Sequence, residues 1–176
     1  MDRKALILAA ARQLTLERGV VPSLNETASV AGVSKGGLLH HFPSRAALVQ
    51  GLAAAALEEI DAAMVAASGE GRAAETWLRI SVPAGEDVAL FQALAIAYRA
   101  VETPVGDVVT ASREAIVRWE AMIEAETGDA TRARIIRLVG DGLATNVVAG
   151  LEAAPSEAEL DALIDALIRR PTKDAR

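Results

Sequence analysis

The sequence has no cysteine, few aromatic residues (3%) and no long uninterrupted apolar run. Without cysteine, neither a disulfide framework nor a thiolate metal site can form. No segment reaches the roughly eighteen apolar residues that a membrane-spanning helix needs, and the first residues lack the cleavage pattern of a signal peptide. These absences predict a soluble, cytoplasmic protein.

The residues that are abundant favour helices. Apolar residues make up 52% of the chain, and most of them are alanine and leucine. These two rank with glutamate and arginine among the best helix formers, whereas strand-forming residues are scattered. Length and apolar periodicity predict an all-α fold of about nine helices, divided into a small N-terminal module, residues 1–45, and a helical body, residues 46–176.

Charge is distributed unevenly along the chain. The net charge of −6 argues by itself against a partner as anionic as DNA. Residues 1–50, however, hold six Lys and Arg against three Asp and Glu, whereas the remaining residues hold 12 against 21. A basic head on an acidic body is compatible with DNA contact through the head alone.

Local signals predict the first two helices. The first runs from Arg3 to Arg18 and ends at Gly19, a residue type common just after a helix. Ser23 and Glu26 have the S-x-x-E spacing of a capping box, so the second helix is expected to begin at Leu24 and to end near residue 31 or 32.

A third short helix follows a tight turn. Gly32 can adopt the left-handed conformation that closes a helix and reverses the chain. Ser34 is the expected N-cap of the helix Lys35–His41, which must stop before Pro43. Two short helices joined by such a turn are typical of a DNA-binding helix-turn-helix. Six further helices are predicted at 45 to about 67, 73–82, 88–101, 108–127, 130 to about 151 and 157–170.

The third helix carries the side chains best suited to DNA. Its first backbone N–H groups, with the charges of Lys35 and Arg45, favour a phosphate. His40 and the neighbouring His41 could reach base edges, and being about 100° apart on a helix they are not expected to share a metal ion. Glycines would let the backbone come close. The residues predicted to contact DNA are Ser23, Leu24, Ser34, Lys35, Gly36, Gly37, His40, His41 and Arg45.

A longer run of residues around this motif carries a family resemblance. It comprises Ala10, Ala11, Leu14, Glu17, Gly19, Ala28, the AGVSKG at 31–36, Leu38, His41, Phe42, Pro43, Ser44 and Leu48. Through these residues, the segment 7–48 resembles the DNA-binding domain of the TetR family, the tetracycline-repressor-like transcriptional regulators of bacteria. The resemblance implies a homodimeric repressor that binds a pseudo-palindromic, double-stranded DNA operator and is released when a small effector binds the body.

The resemblance also implies an effector site in the middle helices. Aromatic and methionine side chains suited to an apolar ligand are concentrated there. They are Met64, Trp77, Phe91, Tyr98, Trp119 and Met122. The same residues could equally be ordinary core.

The last two helices are the predicted dimer interface. The helix from residue 130 is apolar over most of its circumference and must be buried on more than one side, and Gly140, Gly142 and Gly150 would allow close approach. Two copies of this helix pair would form an intersubunit four-helix bundle. Its predicted contacts are Leu143, Val147, Leu160, Leu163, Ile164 and Leu167. Burial of both helices within one protomer is the alternative.

Two other classes of function stay open at this point. Thr15, Thr27, Gly37 and Leu39 differ from residues common in the family, which would fit a helical interaction protein whose helix-turn-helix no longer binds DNA. An enzyme is disfavoured, because no nucleophile–base pair, phosphate loop or metal-ligand spacing is present. The sequence therefore predicts no catalytic residue, no metal and no cofactor.

Overall fold

The computed structural model describes residues 2–83, 85–100 and 106–168, and within these ranges the regular elements are all helices. They are α1 (Arg3–Arg18), α2 (Leu24–Val30), α3 (Lys35–His41), α4 (Arg45–Gly69), α5 (Ala73–Ile80), α6 (Glu86–Ala100), α7 (Gly106–Thr127), α8 (Ala130–Ala149) and α9 (Glu157–Ile168). The predicted all-α fold is confirmed. The bounds of α1 and α3 are correct to the residue, and the others lie within two residues; the ends predicted at Val101 and Arg170 fall outside the described residues.

The predicted caps form around α2. The Ser23 hydroxyl accepts from the backbone N–H of Glu26, while the Glu26 carboxylate accepts from the Ser23 backbone N–H at 2.9 Å. Hydrogen bonds from Ser23, first its hydroxyl and then its backbone, and from Arg18 lower the pKa of Glu26 to about 2. Gly19 (φ 70°) and Gly32 (φ 65°) adopt the left-handed conformation that ends the preceding helices. Local signals therefore set both ends of α2.

The described residues divide into two compact units. One comprises the described residues of 2–58 and 85–112, and the other comprises residues 59–83 and 113–168. The division at residue 45 stays a prediction. None of the helices in the described ranges has both the length and the apolar character of a membrane-spanning segment.

The first unit has a core built by α1 to α4 together with α6. Its buried members include Ile7, Ala11, Val21, Ala28, Leu38, Phe42, Leu48, Val49, Leu52, Leu90, Leu94 and Ala97. Phe42 lies so close to α4 that a Cβ on Gly51 would lie 3.2 Å from the ring carbon Cζ and closer still to Cε1. The core therefore packs against the side of α3 that carries Leu38 and leaves the opposite side of the helix exposed to solvent.

Two threonines are buried beside this core, and the hydroxyl group of each makes a hydrogen bond. Thr15 and Thr27 are fully buried. The Thr15 hydroxyl donates to the Ala11 carbonyl at 2.7 Å, and the Thr27 hydroxyl donates to the Ser23 carbonyl at 2.9 Å. Because a buried hydroxyl is costly only when unpaired, these departures from the residues common in the family are accommodated.

The second unit is organised by a close approach between α5 and α8. Gly140 on α8 faces Trp77 on α5 and Ser81, the C-cap of that helix, and an added Cβ would lie 2.6 Å from the Ser81 hydroxyl oxygen. The Trp77 indole N–H donates to the Arg137 carbonyl at 3.1 Å. The expectation that Gly140 accommodates a partner chain was wrong, because α5 of the same protomer occupies that space.

Candidate nucleic-acid interface

The outer side of α3 is a short polar surface mounted on an apolar base. Leu38 is fully buried, and Phe42, just after the helix, is 3% exposed. Lys35, Gly36 and His40 are exposed on the helix itself. The buried side chains fix the helix, so its exposed residues are held in a set orientation relative to the core.

The start of α3 is capped by its own sequence. The Ser34 hydroxyl accepts a hydrogen bond from the backbone N–H of Gly37 at 3.1 Å. A Cβ at Gly37 would lie 3.2 Å from this hydroxyl oxygen, whereas a Cβ at Gly36 would meet no atom within 4 Å. Gly36 therefore presents bare backbone to solvent with room for a side chain in the free protein.

The histidine pair lies in the last turn of α3. His40 is exposed and His41 is half-buried, and their ring centroids are 5.3 Å apart in an edge-on arrangement. No group of three or more His, Cys, Asp or Glu side chains suited to a metal ion occurs in the described part of the chain. His40 is thus the member of the pair with its imidazole open to solvent.

Three other residues predicted to contact DNA make hydrogen bonds or packing contacts within the protein. The Ser23 hydroxyl is engaged in the capping box, and Leu24 packs partly buried against the first unit's core. The exposed Arg45, the first residue of α4, donates from Nη2 to the Val21 carbonyl at 2.8 Å. Sequence reasoning did not foresee this bond, because its partners are 24 residues apart. DNA contact by Ser23, Leu24 and Arg45 stays a prediction.

The residues predicted for an effector site fall in both units. Met64, Trp77 and Trp119 are buried in the second unit, and Met122, which follows Trp119 on α7, is half-buried. Phe91 is half-buried in the first unit, and the Tyr98 side chain lies outside the described residues. Their contact with an effector stays a prediction.

The two tryptophans form a tilted pair with ring centroids 5.4 Å apart. The Trp119 indole N–H donates to Asp61 at 2.8 Å, and Arg118 donates to the same carboxylate oxygen. Both hydrogen bonds lower the pKa of Asp61, and the bond from Arg118 has the larger effect. Both indole N–H groups are therefore satisfied within the core, since Trp77 bonds to the Arg137 carbonyl.

An ion-pair cluster around the buried Arg137, which the sequence did not reveal, joins α7 and α8. The Arg137 side chain is 9% exposed and bonds to Glu120 at 2.6 Å and to Asp141. Asp141, one turn further along α8, accepts from the Arg137 guanidinium and helps to neutralise its charge. The cluster holds the two helices together through charge-assisted hydrogen bonds.

The predicted dimer residues divide by burial within the single chain. Val147, Leu160 and Ile164 are buried, Leu143 and Leu167 are half-buried, and Leu163 is exposed. Residues that are already buried have little surface to offer a partner. Two large apolar side chains missed by the sequence prediction, Ile135 (47% exposed) and Leu138 (50% exposed), are more accessible than any of the six.

These exposed side chains form one stripe on α8. The stripe consists of four exposed residues, Ile135, Leu138, Gly142 and Thr145. They follow one another at spacings of three or four residues, which places them on one helix face. On the neighbouring α9, Ala162, Leu163 and Ala166 are exposed. The two helices are tied together by Arg132, whose guanidinium donates to the Leu167 and Ile168 carbonyls, each at 2.7 Å. The pair therefore leaves an apolar, partly small-residue surface that no other described residue of the protomer covers.

Comparison with known proteins places both parts of the chain. Residues 7–52 match the family model of bacterial regulatory proteins of the tetR family, and residues 71–170 match that of the tetracyclin repressor-like C-terminal domain. No curated protein sequence gives a significant match.

Two solved structures share the fold. One is a TetR family member from Streptomyces coelicolor A3, with 22% identity and a TM-score of 0.70 over 97% of this chain and 100% of that one. The other is the multidrug binding protein EbrR in complex with imidazole, with 23% identity and a TM-score of 0.65 over 99% of each chain. The family-model matches, which together span most of the sequence, show that the chain belongs to the tetR family and is a DNA-binding transcriptional regulator.

Proposed function

We propose that the protein is a homodimeric repressor that binds a pseudo-palindromic operator through α3 and releases it when a small apolar effector binds the body. The observation that carries the DNA-binding part is the exposed Lys35, Gly36 and His40 surface, held by the buried Leu38 and Phe42. The experiment that tests it is sequencing of the genomic DNA that co-purifies with the protein. Enrichment of a sequence with two-fold symmetry supports the proposal, and recovery of random fragments contradicts it.

Within this surface, different residues serve affinity and selectivity. A lysine at the helix start neutralises phosphate regardless of sequence. An imidazole in the major groove can exchange hydrogen bonds with base edges. Lys35 is accordingly proposed as a phosphate contact and His40 as a base contact, with His41, which is half-buried, in a lesser role.

Replacing Lys35 with alanine should weaken binding to specific and random DNA alike. Each phosphate contact contributes about 0.9 to the slope of log K against log salt. The slope is measured by fluorescence anisotropy at salt concentrations from roughly 50 to 300 mM, which include the physiological range. Its magnitude should fall by about 0.9. Arg113→Ala, which removes an exposed charge from α7, is the matched control. An unchanged slope for Lys35→Ala would remove Lys35 from the DNA surface.

Gly36→Ala should separate DNA contact from folding. The added methyl group meets no protein atom within 4 Å, and alanine is a better helix former than glycine by up to about 1 kcal/mol. The variant should be at least as stable as the wild type yet bind its operator about ten-fold more weakly, because the bare backbone is proposed to lie against DNA. Thermal unfolding and an operator titration give the two readouts. A variant that binds as tightly as the wild type would show that no DNA atom approaches Gly36.

The dimer part of the proposal rests on the apolar surface of α8 and α9. A single helix-turn-helix buries too little surface for tight specific binding, so two-fold repetition is the usual solution. Two copies of the stripe Ile135, Leu138 and Gly142, with Leu163 alongside, would close a four-helix bundle. The operator half-sites would then lie about one helical turn apart or slightly more.

The effector part rests on composition within the second unit. Met64, Trp77 and Trp119 provide an apolar interior, and Met122 is half-buried. Apolar surroundings suit an apolar ligand, and the charged groups beside the two tryptophans are already paired, Asp61 with Arg118 and Arg137 with Glu120. An apolar effector is therefore the proposed class.

A further inference from the structure

One hydrogen bond joins the two segments that flank the helix-turn-helix. Arg45 begins α4, and its Nη2 donates to the carbonyl of Val21 at 2.8 Å. Val21 is 4% exposed and belongs to the first unit's core, and it lies two residues before Ser23, the N-cap of α2. The bond therefore anchors an exposed cation to a fixed point of the backbone.

The bond leaves most of the guanidinium available. Arginine has five N–H donors in a planar fork, and among the described residues the Val21 carbonyl is the one hydrogen-bond partner of the Arg45 side chain. A side chain already held at one edge loses less freedom when its other edge binds a second partner. By contrast, the exposed Lys35 has no hydrogen-bond partner for its side chain among the described residues and carries a point charge on a flexible stem.

We propose that the Val21 carbonyl holds Arg45 in one orientation, in which its remaining N–H groups bind a phosphate of the DNA backbone. The inference rests on the proposed operator binding and adds the device that orients one contact. Arg45 is then a preorganised clamp, whereas Lys35 supplies charge alone. Geometry, and not charge alone, determines the contribution of Arg45.

Two variants distinguish geometry from charge. Arg45→Lys keeps the charge but lacks the planar fork, so the salt slope should stay as in the wild type while operator affinity falls about five- to ten-fold. Arg45→Gln removes the charge, so the slope should fall by about 0.9 and affinity should fall further. Arg113→Lys and Arg113→Gln are matched controls on α7 and should change neither quantity. Thermal unfolding of each variant accompanies the titrations.

Each deviation overturns a stated part of the inference. If Arg45→Lys binds like the wild type, orientation by Val21 contributes nothing. If Arg45→Gln keeps the wild-type slope, Arg45 touches no phosphate and only braces the fold. If wild-type protein binds no operator at all, the proposed function fails, and the phosphate contact fails with it.

A measurement on the free protein tests the tether without DNA and without a variant. The 15N relaxation of the arginine Nε–H groups reports side-chain order on the picosecond to nanosecond scale. Arg45 should be ordered, with an order parameter near 0.8, whereas the exposed Arg3 should be below about 0.6, by analogy with rigid and flexible backbone. Equal mobility of the two would overturn the tether.

Discussion

Changing Gly140 to alanine should lower the free energy of unfolding by about 3 kcal/mol, near the upper end of the usual cost of overpacking. The added Cβ would overlap Nε1 of Trp77 and lie 2.8 Å from its Cε2 and 2.6 Å from the Ser81 hydroxyl oxygen. Real Cβ atoms do not come so close to other atoms, so α5 or α8 must move. The gain in helix propensity, up to about 1 kcal/mol, is too small to offset this.

The neighbours of Gly140 cannot move aside easily. Trp77 is buried, packs against Trp119, and donates its indole N–H to the Arg137 carbonyl. Turning the ring would leave that donor unpaired in the core, at a cost of about 1–3 kcal/mol. Shifting α8 instead would strain the ion pair of Arg137 with Glu120 on α7. Both routes of relaxation disturb bonds that depend on the present spacing.

Differential scanning calorimetry checks this expectation. For a chain of this length, 1 kcal/mol corresponds to about 2–4 °C in Tm, so Gly140→Ala should lower Tm by about 6–12 °C. Gly36→Ala is the matched control, because it adds the same methyl group within a helix where no atom lies within 4 Å. A Gly140 variant with the Tm of the control would mean that α5 and α8 do not approach as closely as described.

The sequence was sufficient where structure depends on neighbouring residues. The bounds of α1 and α3 and the capping box at Ser23 and Glu26 were correct, because each depends on contacts within a few positions along the chain. Gly19 and Gly32 end their helices for the same local reason. The family resemblance in residues 7–48 was strong because most of its residues belong to this locally determined module.

Contacts between distant residues were beyond the reach of sequence reasoning. The bond from Arg45 to Val21 joins α4 to the segment before α2, and the pairing of Arg137 with Glu120 joins α8 to α7. No periodicity in the sequence encodes either contact. The apolar stripes of α8 and α9 were recognised, but which residues face α5 was not. Leu160 and Ile164 turned out to be buried in the protomer, whereas Leu138 was left exposed. A helix that is apolar nearly all round gives no periodic signal for assigning its faces.

Placing a carboxylate on each exposed helix face, Leu138→Glu with Leu163→Glu, should convert the proposed dimer to a monomer. Leu138 is 50% exposed and Leu163 is 36% exposed in the protomer, so the substitutions leave its own core largely intact. In a two-fold dimer each change occurs twice, and burying an unpaired carboxylate costs several kcal/mol. Even about 4 kcal/mol in total would weaken association roughly a thousand-fold.

Sedimentation velocity at micromolar concentration measures the outcome directly. The wild type should sediment as two chains of 18.3 kDa and the double variant as one. Val117→Glu is the matched control, because Val117 is 69% exposed on α7, a helix that is not part of the proposed interface, and the change should leave the dimer intact. A wild-type monomer, or a double variant that stays dimeric, would contradict the proposed interface.

Loss of the dimer should also separate the two components of DNA binding. A monomer keeps the Lys35, Gly36 and His40 surface, so its affinity for an isolated half-site should match that of the wild-type protomer. It loses the contact of a second protomer with the second half-site. In the dimer that contact is effectively intramolecular and contributes roughly a hundred-fold or more to full-operator affinity. Titrations with half-site and full-site duplexes should therefore give equal affinities for the double variant and unequal ones for the wild type. That pattern would tie the apolar stripe on α8 to operator recognition through assembly alone, since neither Leu138 nor Leu163 lies in the unit that contains α3.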